Sequence, residues 1–121
     1  MAKRISKREL QQILSKNSSS KRGREYEKQV AKETGGRTTP NSGAIRGLEG
    51  DVVPGNALYL IEVKYTDRKS YSLTKKTLEK IRKEAAGQNR IPIMRINIQG
   101  EEWYVVPNNI WGPYMEAEDD Q

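Results

Sequence analysis

Cysteine and histidine are both absent from this chain of 121 residues. The first absence excludes disulfides, zinc fingers and thiol nucleophiles. The second excludes serine–histidine triads, histidine-ligated metals and any imidazole general base. Hydrophobic residues are scarce at 34%, so the core must be thin: one compact domain with room for a central sheet and two or three helices. No apolar run approaches the ~18 residues needed to span a bilayer. The N-terminus lacks the apolar core of a signal peptide, so a cytoplasmic protein with no membrane partner is expected. Any catalysis must therefore come from carboxylates, lysines and water.

What the chain does have is positive charge, unevenly placed. The formal net charge is +6. Residues 1–24 carry eight Lys or Arg against Glu9 alone, whereas Glu116, Glu118, Asp119 and Asp120 lie at the end. With those four acids set aside, twenty-two basic residues face twelve acidic ones, a net +10. A body charged in this way attracts polyanions, of which nucleic acid is the commonest.

Ser6 and Glu9 form a capping-box pattern ahead of Leu10, Ile13 and Leu14, which predicts a short basic helix over about residues 7–16. Asn17 to Ser20 then reads as a linker. Residues 1–20 make a basic arm, 21–114 the main domain and 115–121 an acidic tail. A second helix is predicted from Arg22 to Thr34, stopped by Gly35 and Gly36. Its inward stripe is Gly23, Tyr26, Glu27, Val30, Ala31 and Thr34, with Arg24, Glu25, Lys28, Gln29 and Lys32 facing out. Residues 35–50 read as a long polar loop with a short strand near Arg37. Strands are predicted at Asp51–Val53, Leu58–Tyr65, Ile91–Ile98 and Glu102–Pro107, the last two joined by a tight turn at Gln99-Gly100. A helix over Leu73–Ala86, with Leu78, Ile81 and Ala85 on one face, ends at Gly87. This order predicts an α/β fold, a central mixed sheet flanked by helices. Trp103, Tyr104 and Trp111 read as core or subunit-interface anchors before base-stacking platforms.

The strand Leu58–Tyr65 is apolar on both faces, yet Glu62 and Lys64 sit near its end and project from one face. Buried carboxylates are paired or bound to a cation. A simple Glu–Lys pair at a strand end accounts for the two alone, and Asp67-Arg68-Lys69 repeats the acid-x-Lys spacing in a loop. Asp51 adds a third charge. If the intervening loop is centred on Asn56-Ala57, Asp51 lies opposite Glu62, and two carboxylates on strands ~4.8 Å apart can share one hard cation. A two-residue turn at Pro54-Gly55 would instead set Asp51 against Leu58. Glu27 is the acid among apolar positions of its helix, where it needs a reason to be.

Gly23-x-x-x-Glu27, Ser42-Gly43, Gly50-Asp51 and Glu62-Val63-Lys64, followed by a helix and two strands, resemble the PD-(D/E)XK nuclease superfamily with its restriction-endonuclease-like core. The likeness is to small archaeal-type and phage-borne Holliday-junction resolvases and covers about residues 21–107. Gly50 departs from the family's proline. The resemblance implies a Mg²⁺ or Mn²⁺ ion on Asp51, Glu62 and the main-chain carbonyl of Val63, with Glu27 supporting the metal or its water and Lys64 orienting the attacking water. It also implies a homodimer acting on branched DNA in a bacterial, archaeal or phage-infected cell. Ser42 matches a serine that such resolvases place near the DNA backbone. Lys21, Arg22, Arg24, Arg37, Asn41 and Arg46 are further candidates for DNA contact, and Lys75, Lys76, Lys80 and Lys83 read first as a solvated face. Two other readings stay open: a restriction-like or nicking nuclease with another DNA target, and a catalytically inert DNA-binding module on the same fold. A basic RNA-binding protein lacks support, because no RNP-like aromatic element or GxxG loop stands in a fitting context.

Overall fold

The structure, a computed structural model, describes residue 4 and residues 6–39 and 50–116, of which 12–20 by main chain only. The N-terminal helix α1 runs unbroken from Lys7 to Glu33. Ser6 caps it as its pattern predicts, its Oγ accepting a hydrogen bond from the Glu9 amide at 3.1 Å. The predicted linker at Asn17–Ser20 is corrected: these residues are helical. Serine and asparagine cost roughly 0.5 kcal/mol each in a helix relative to alanine, and the stretch contains neither glycine nor proline. Breaking there would orphan backbone groups on both sides and require a second nucleation, which is costlier than propagating through four weak formers.

At the other end Gly35 adopts the left-handed region, with φ 67°. The Gly36 amide reaches back to the Ala31 carbonyl at 2.8 Å and the Gly35 amide to Lys32 at 3.2 Å, a Schellman closure. Gly36 lies so close to the Val53 carbonyl that a Cβ would collide with it. The helix is thereby turned directly into the sheet.

Five strands follow the order β1-β2-β3-β4-β5: β1 Arg37–Thr38, β2 Gly50–Val53, β3 Tyr59–Thr66, β4 Ile91–Ile98 and β5 Glu101–Val105. All pairs are antiparallel except β3 with β4, which is parallel. Parallel neighbours require a crossover, here supplied by helix α2, Lys75–Gly87. The chain is thus an α/β fold with a central mixed sheet and flanking helices. Gln99 and Gly100, with φ 49° and 91°, close the β4–β5 hairpin in the way a primed two-residue turn requires.

Two details of α2 differ from expectation. Gly87 is its last residue, and the left-handed exit is made by Asn89, φ 55°, with the Arg90 amide bonded to the Ala85 carbonyl at 2.8 Å. Leu78 stays 42% exposed, while Ile81 and Ala85 are buried. A third helix, α3 Asn108–Met115, is unexpected; its Gly112 and Pro113 argue locally against a helix.

The sheet divides the core. Tyr26, Val30 and Ala31 of α1 pack on Val52, Ile61 and Val63. On the other side Ala85 packs with Val53 and Leu60, and Ile81 with Met94 and Ile96. Every predicted inward position of α1 except Gly23, Glu27 and Thr34 is buried, and those three are half-buried. Among the described residues no helix is long and apolar enough to cross a membrane.

Candidate active site

Alternation along β3 sends Ile61 and Val63 toward α1 and leaves Leu60, Glu62 and Lys64 facing α2. On β2 the same rule places Val52 toward α1 and Asp51 and Val53 toward α2. The register resolves the two sequence alternatives, because Asp51 is the direct partner of Glu62. The connecting loop is held wide by three bonds. The Gly55 amide donates to the Thr34 carbonyl at 2.9 Å, Asn56 Oδ1 accepts from the Leu58 amide at 3.2 Å, and the Tyr59 amide donates to the Asn56 carbonyl at 3.2 Å. The asparagine forms an Asx turn, so the tight Pro54-Gly55 alternative is not used.

Three charged groups are consequently buried side by side: Asp51 is 9% exposed, Glu62 4% and Lys64 5%. Lys64 Nζ lies 3.4 Å from Glu62 Oε1. A fourth group comes from α2. Oxygens of Asp51, Glu62 and Glu84 all lie within 4.8 Å of one another. Sequence reading missed Glu84. The available signal was its place three residues after the buried Ile81 and next to the buried Ala85, which sets it at the edge of the inward stripe.

Such a cluster is electrostatically tense. Two carboxylates at 4.8 Å repel by about 3 kcal/mol at an effective dielectric of 20, and burial weakens their hydration. Burial accordingly pushes the Glu62 carboxyl well above the usual range, with Asp51 and Glu84 adding to the shift and Lys64 opposing it. Glu27 is outside the three-acid group but close enough to feel it. Its carboxyl is raised to about 7 by burial first and the charge of Asp51 second, with Lys28 opposing.

Within this cluster Asp51 Oδ1 is buried with no hydrogen-bond partner. Buried polar atoms are nearly always satisfied. An orphaned carboxylate oxygen in an all-oxygen donor set fits a hard divalent cation such as Mg²⁺ or Mn²⁺. The Val63 side chain lies in the α1-side core, so only its main chain could join them.

The remaining candidates are dispersed. Lys21, Arg24 and Arg37 are exposed. Arg22 pairs with Asp67 at 2.8 Å across a solvated surface, and Tyr65 donates to the same carboxylate at 2.9 Å. The second acid-x-Lys instance is therefore a tie between α1 and the end of β3, away from the acid cluster. Asn41, Ser42, Arg46 and the acidic tail from residue 117 onward lie outside the described residues. Lys75, Lys76, Lys80 and Lys83 are exposed on the helix that carries Glu84.

The α1 side of the sheet holds different features. Arg95, 9% exposed, is enclosed by Glu33 at 2.7 Å, Glu102 at 2.8 Å and the hydroxyls of Tyr26 at 3.0 Å and Tyr104 at 3.2 Å. It clamps α1 to β4 and β5. An apolar cavity of about 550 Å³ opens nearby among Tyr59, Ile61, Ile93, Tyr104, Trp111 and Met115. No carboxylate lines it, so this hollow is separate from the acid cluster. Trp111 stacks on Tyr59, and Trp103 is 60% exposed.

Comparison of the chain with protein families, with curated proteins and with solved structures gives no match.

Proposed function

We propose that this chain is a divalent-cation-dependent endodeoxyribonuclease of the PD-(D/E)XK type. The observation that carries the reading is the direct pairing of Asp51 with Glu62, with Lys64 on the same buried face. That combination costs folding energy and has no structural use that an apolar trio would not serve better. Asp51 and Glu62 would hold the cation, and Glu27 bears on it through Asp51. A bound Mg²⁺ or Mn²⁺ polarises a phosphate oxygen and acidifies water at neutral pH.

The chain's own groups then have defined tasks. Glu62 holds the Lys64 ammonium at 3.4 Å, so the lysine is positioned beside the phosphate to orient the attacking water and offset the charge developing on the phosphoryl oxygens. Attack opposite the 3′ oxygen breaks the P–O3′ bond, leaving a 5′-phosphate on one product and a 3′-hydroxyl on the other. Exposed Lys21, Arg24 and Arg37 supply sequence-independent attraction for the DNA backbone. Branched DNA is the substrate and a homodimer the working form, since two symmetric cuts require two sites.

The test is cleavage of branched and linear duplex DNA with Mg²⁺ or with EDTA, by the wild type, Asp51→Asn and Glu62→Gln. Cutting should require Mg²⁺ and vanish in both variants, while binding of uncut DNA is retained. Wild-type cutting by either variant would remove the metal-site assignment, and no cutting of any DNA by the wild type would leave the inert DNA-binding module.

A further inference from the structure

The acid cluster draws on three separate elements, and Glu84 has no counterpart among the motifs that carry the nuclease resemblance. Helix α2 delivers it because Ile81 and Ala85 are both buried against the sheet, which fixes the helix's rotation and sets the intervening turn over β3. Glu84 is half-buried, and its carboxylate comes within 4.8 Å of Asp51 and Glu62 oxygens. Its negative charge is one of the influences that raise Glu62.

The second, independent observation is Asp51 Oδ1. Its residue, a member of this group, is nine-tenths buried, and the atom has no hydrogen-bond donor. Three carboxylate oxygens this close to one another form an all-oxygen donor set that one hard divalent cation can span. Glu27 is not part of the three-acid group.

We propose that Glu84 is the third protein ligand of a single divalent cation shared with Asp51 and Glu62, with Glu27 outside that ligand set. This rests on the metal-dependent reading of the same site. Three carboxylates from β2, β3 and α2 then surround the ion, and the crossover helix becomes part of the metal centre. The rival explanation of the cluster is a proton shared between Asp51 and Glu62, with no cation at all.

The experiment is a titration of the full-length protein, free of DNA, with Mn²⁺, followed by loss of the free-ion magnetic resonance signal. The wild type should bind one Mn²⁺ per chain. Glu84→Gln should weaken binding roughly tenfold or more, as Asp51→Asn does, and Glu27→Gln by clearly less. Glu84→Asp, which keeps the charge on a shorter arm, should recover part of the loss. Unchanged melting of metal-free Glu84→Gln, or a rise in its melting temperature, excludes misfolding as the cause. Wild-type Mn²⁺ affinity in Glu84→Gln, a greater loss in Glu27→Gln, or two ions per chain would overturn the assignment. If Glu84→Gln binds normally while Asp51→Asn and Glu62→Gln lose both Mn²⁺ and cleavage, Glu84 is excluded and the nuclease stands. If one Mn²⁺ binds through Glu84 and no DNA is cut, the metal site stands and the nuclease does not. No Mn²⁺ binding by the wild type would remove both.

Discussion

At the scale of single residues, the acid cluster works against the fold that carries it. Asp51 and Glu62 face each other in a buried register, and Lys64 compensates only one charge. Asp51→Asn should therefore raise the melting temperature in EDTA, by the equivalent of about 0.5–2 kcal/mol, even though it abolishes cutting. A lower melting temperature in EDTA would mean that the carboxylate has a structural partner. The pH dependence follows from the same groups. Glu27 is raised from 4.5 to about 7 and Glu62 is raised as well, so the folded state holds these protons more tightly than the unfolded state. Their contribution to stability is fully present below pH 4.5 and is lost as pH rises, for Glu27 through about 7 and for Glu62 higher still. Melting of the metal-free protein should fall across that window, and Mg²⁺ should flatten the fall by taking the place of the protons. Parallel curves with and without Mg²⁺ would show that no cation enters the cluster. Lys64→Ala should lower the cleavage rate by orders of magnitude while Mn²⁺ affinity changes little; a normal rate restored by excess Mg²⁺ would make the lysine structural.

At the scale of elements, α1 is the surprise. Its 27 residues make a rod of about 40 Å. Among its described side chains, the buried ones, Tyr26, Val30 and Ala31, lie in the C-terminal part. Lys7 and Arg8 are exposed near its N-terminus and Lys21 near its middle. Continuity through Asn17–Ser20 fixes these charges relative to the sheet instead of leaving them on a tether. Deleting residues 1–20 should weaken DNA binding and flatten its salt dependence, the slope falling by about 0.9 for every phosphate the shortened protein no longer neutralises. Ser19→Pro retains the charges but breaks the rod, since an interior proline costs about 3 kcal/mol of helix. It should reduce helical circular dichroism and DNA affinity while keeping most of the salt slope. A truncated protein with an unchanged slope would show that the N-terminal charges never meet DNA.

At the scale of the whole molecule, the two sides of the sheet have separate tasks. The α2 side concentrates Asp51, Glu62, Lys64 and Glu84. The α1 side carries the Arg95 clamp and the apolar cavity bordered by exposed Tyr104 and Met115. Under the resolvase reading, two copies place two basic bodies on two arms of a junction, and the second contact benefits from effective concentration. A four-way junction should then outcompete a linear duplex of equal length at physiological salt, and sedimentation should give a dimer. Paired symmetric nicks across the branch point are expected. Equal affinity for both DNAs, with scattered or sequence-fixed cuts, would refute the resolvase reading and leave a nuclease of another specificity.

Whatever depends on neighbours along the chain was legible without a structure. The inward stripe of α1 could be read because residues at helical spacing share a face. The strand bounds of Ile91–Ile98 and the Gln99-Gly100 turn could be read because apolar runs and turn residues mark them locally. The carboxylate and lysine of β3 stood out because charge is unusual in a strand buried on both faces. The register of Asp51 was legible only as one of two alternatives, and bonds from Asn56 and Thr34 decided between them. Glu84 was legible only as a charge at the edge of an inward stripe, and the burial of Arg95 was not legible at all. Each is one charge in a charged chain, and whether it is buried depends on which surface packs over it: α2 folding back on β3 for Glu84, α1 and β5 closing on β4 for Arg95. Local pattern sets which face a side chain occupies, but the desolvation that turns a surface charge into a member of an acid cluster or a clamp exists only once distant elements meet.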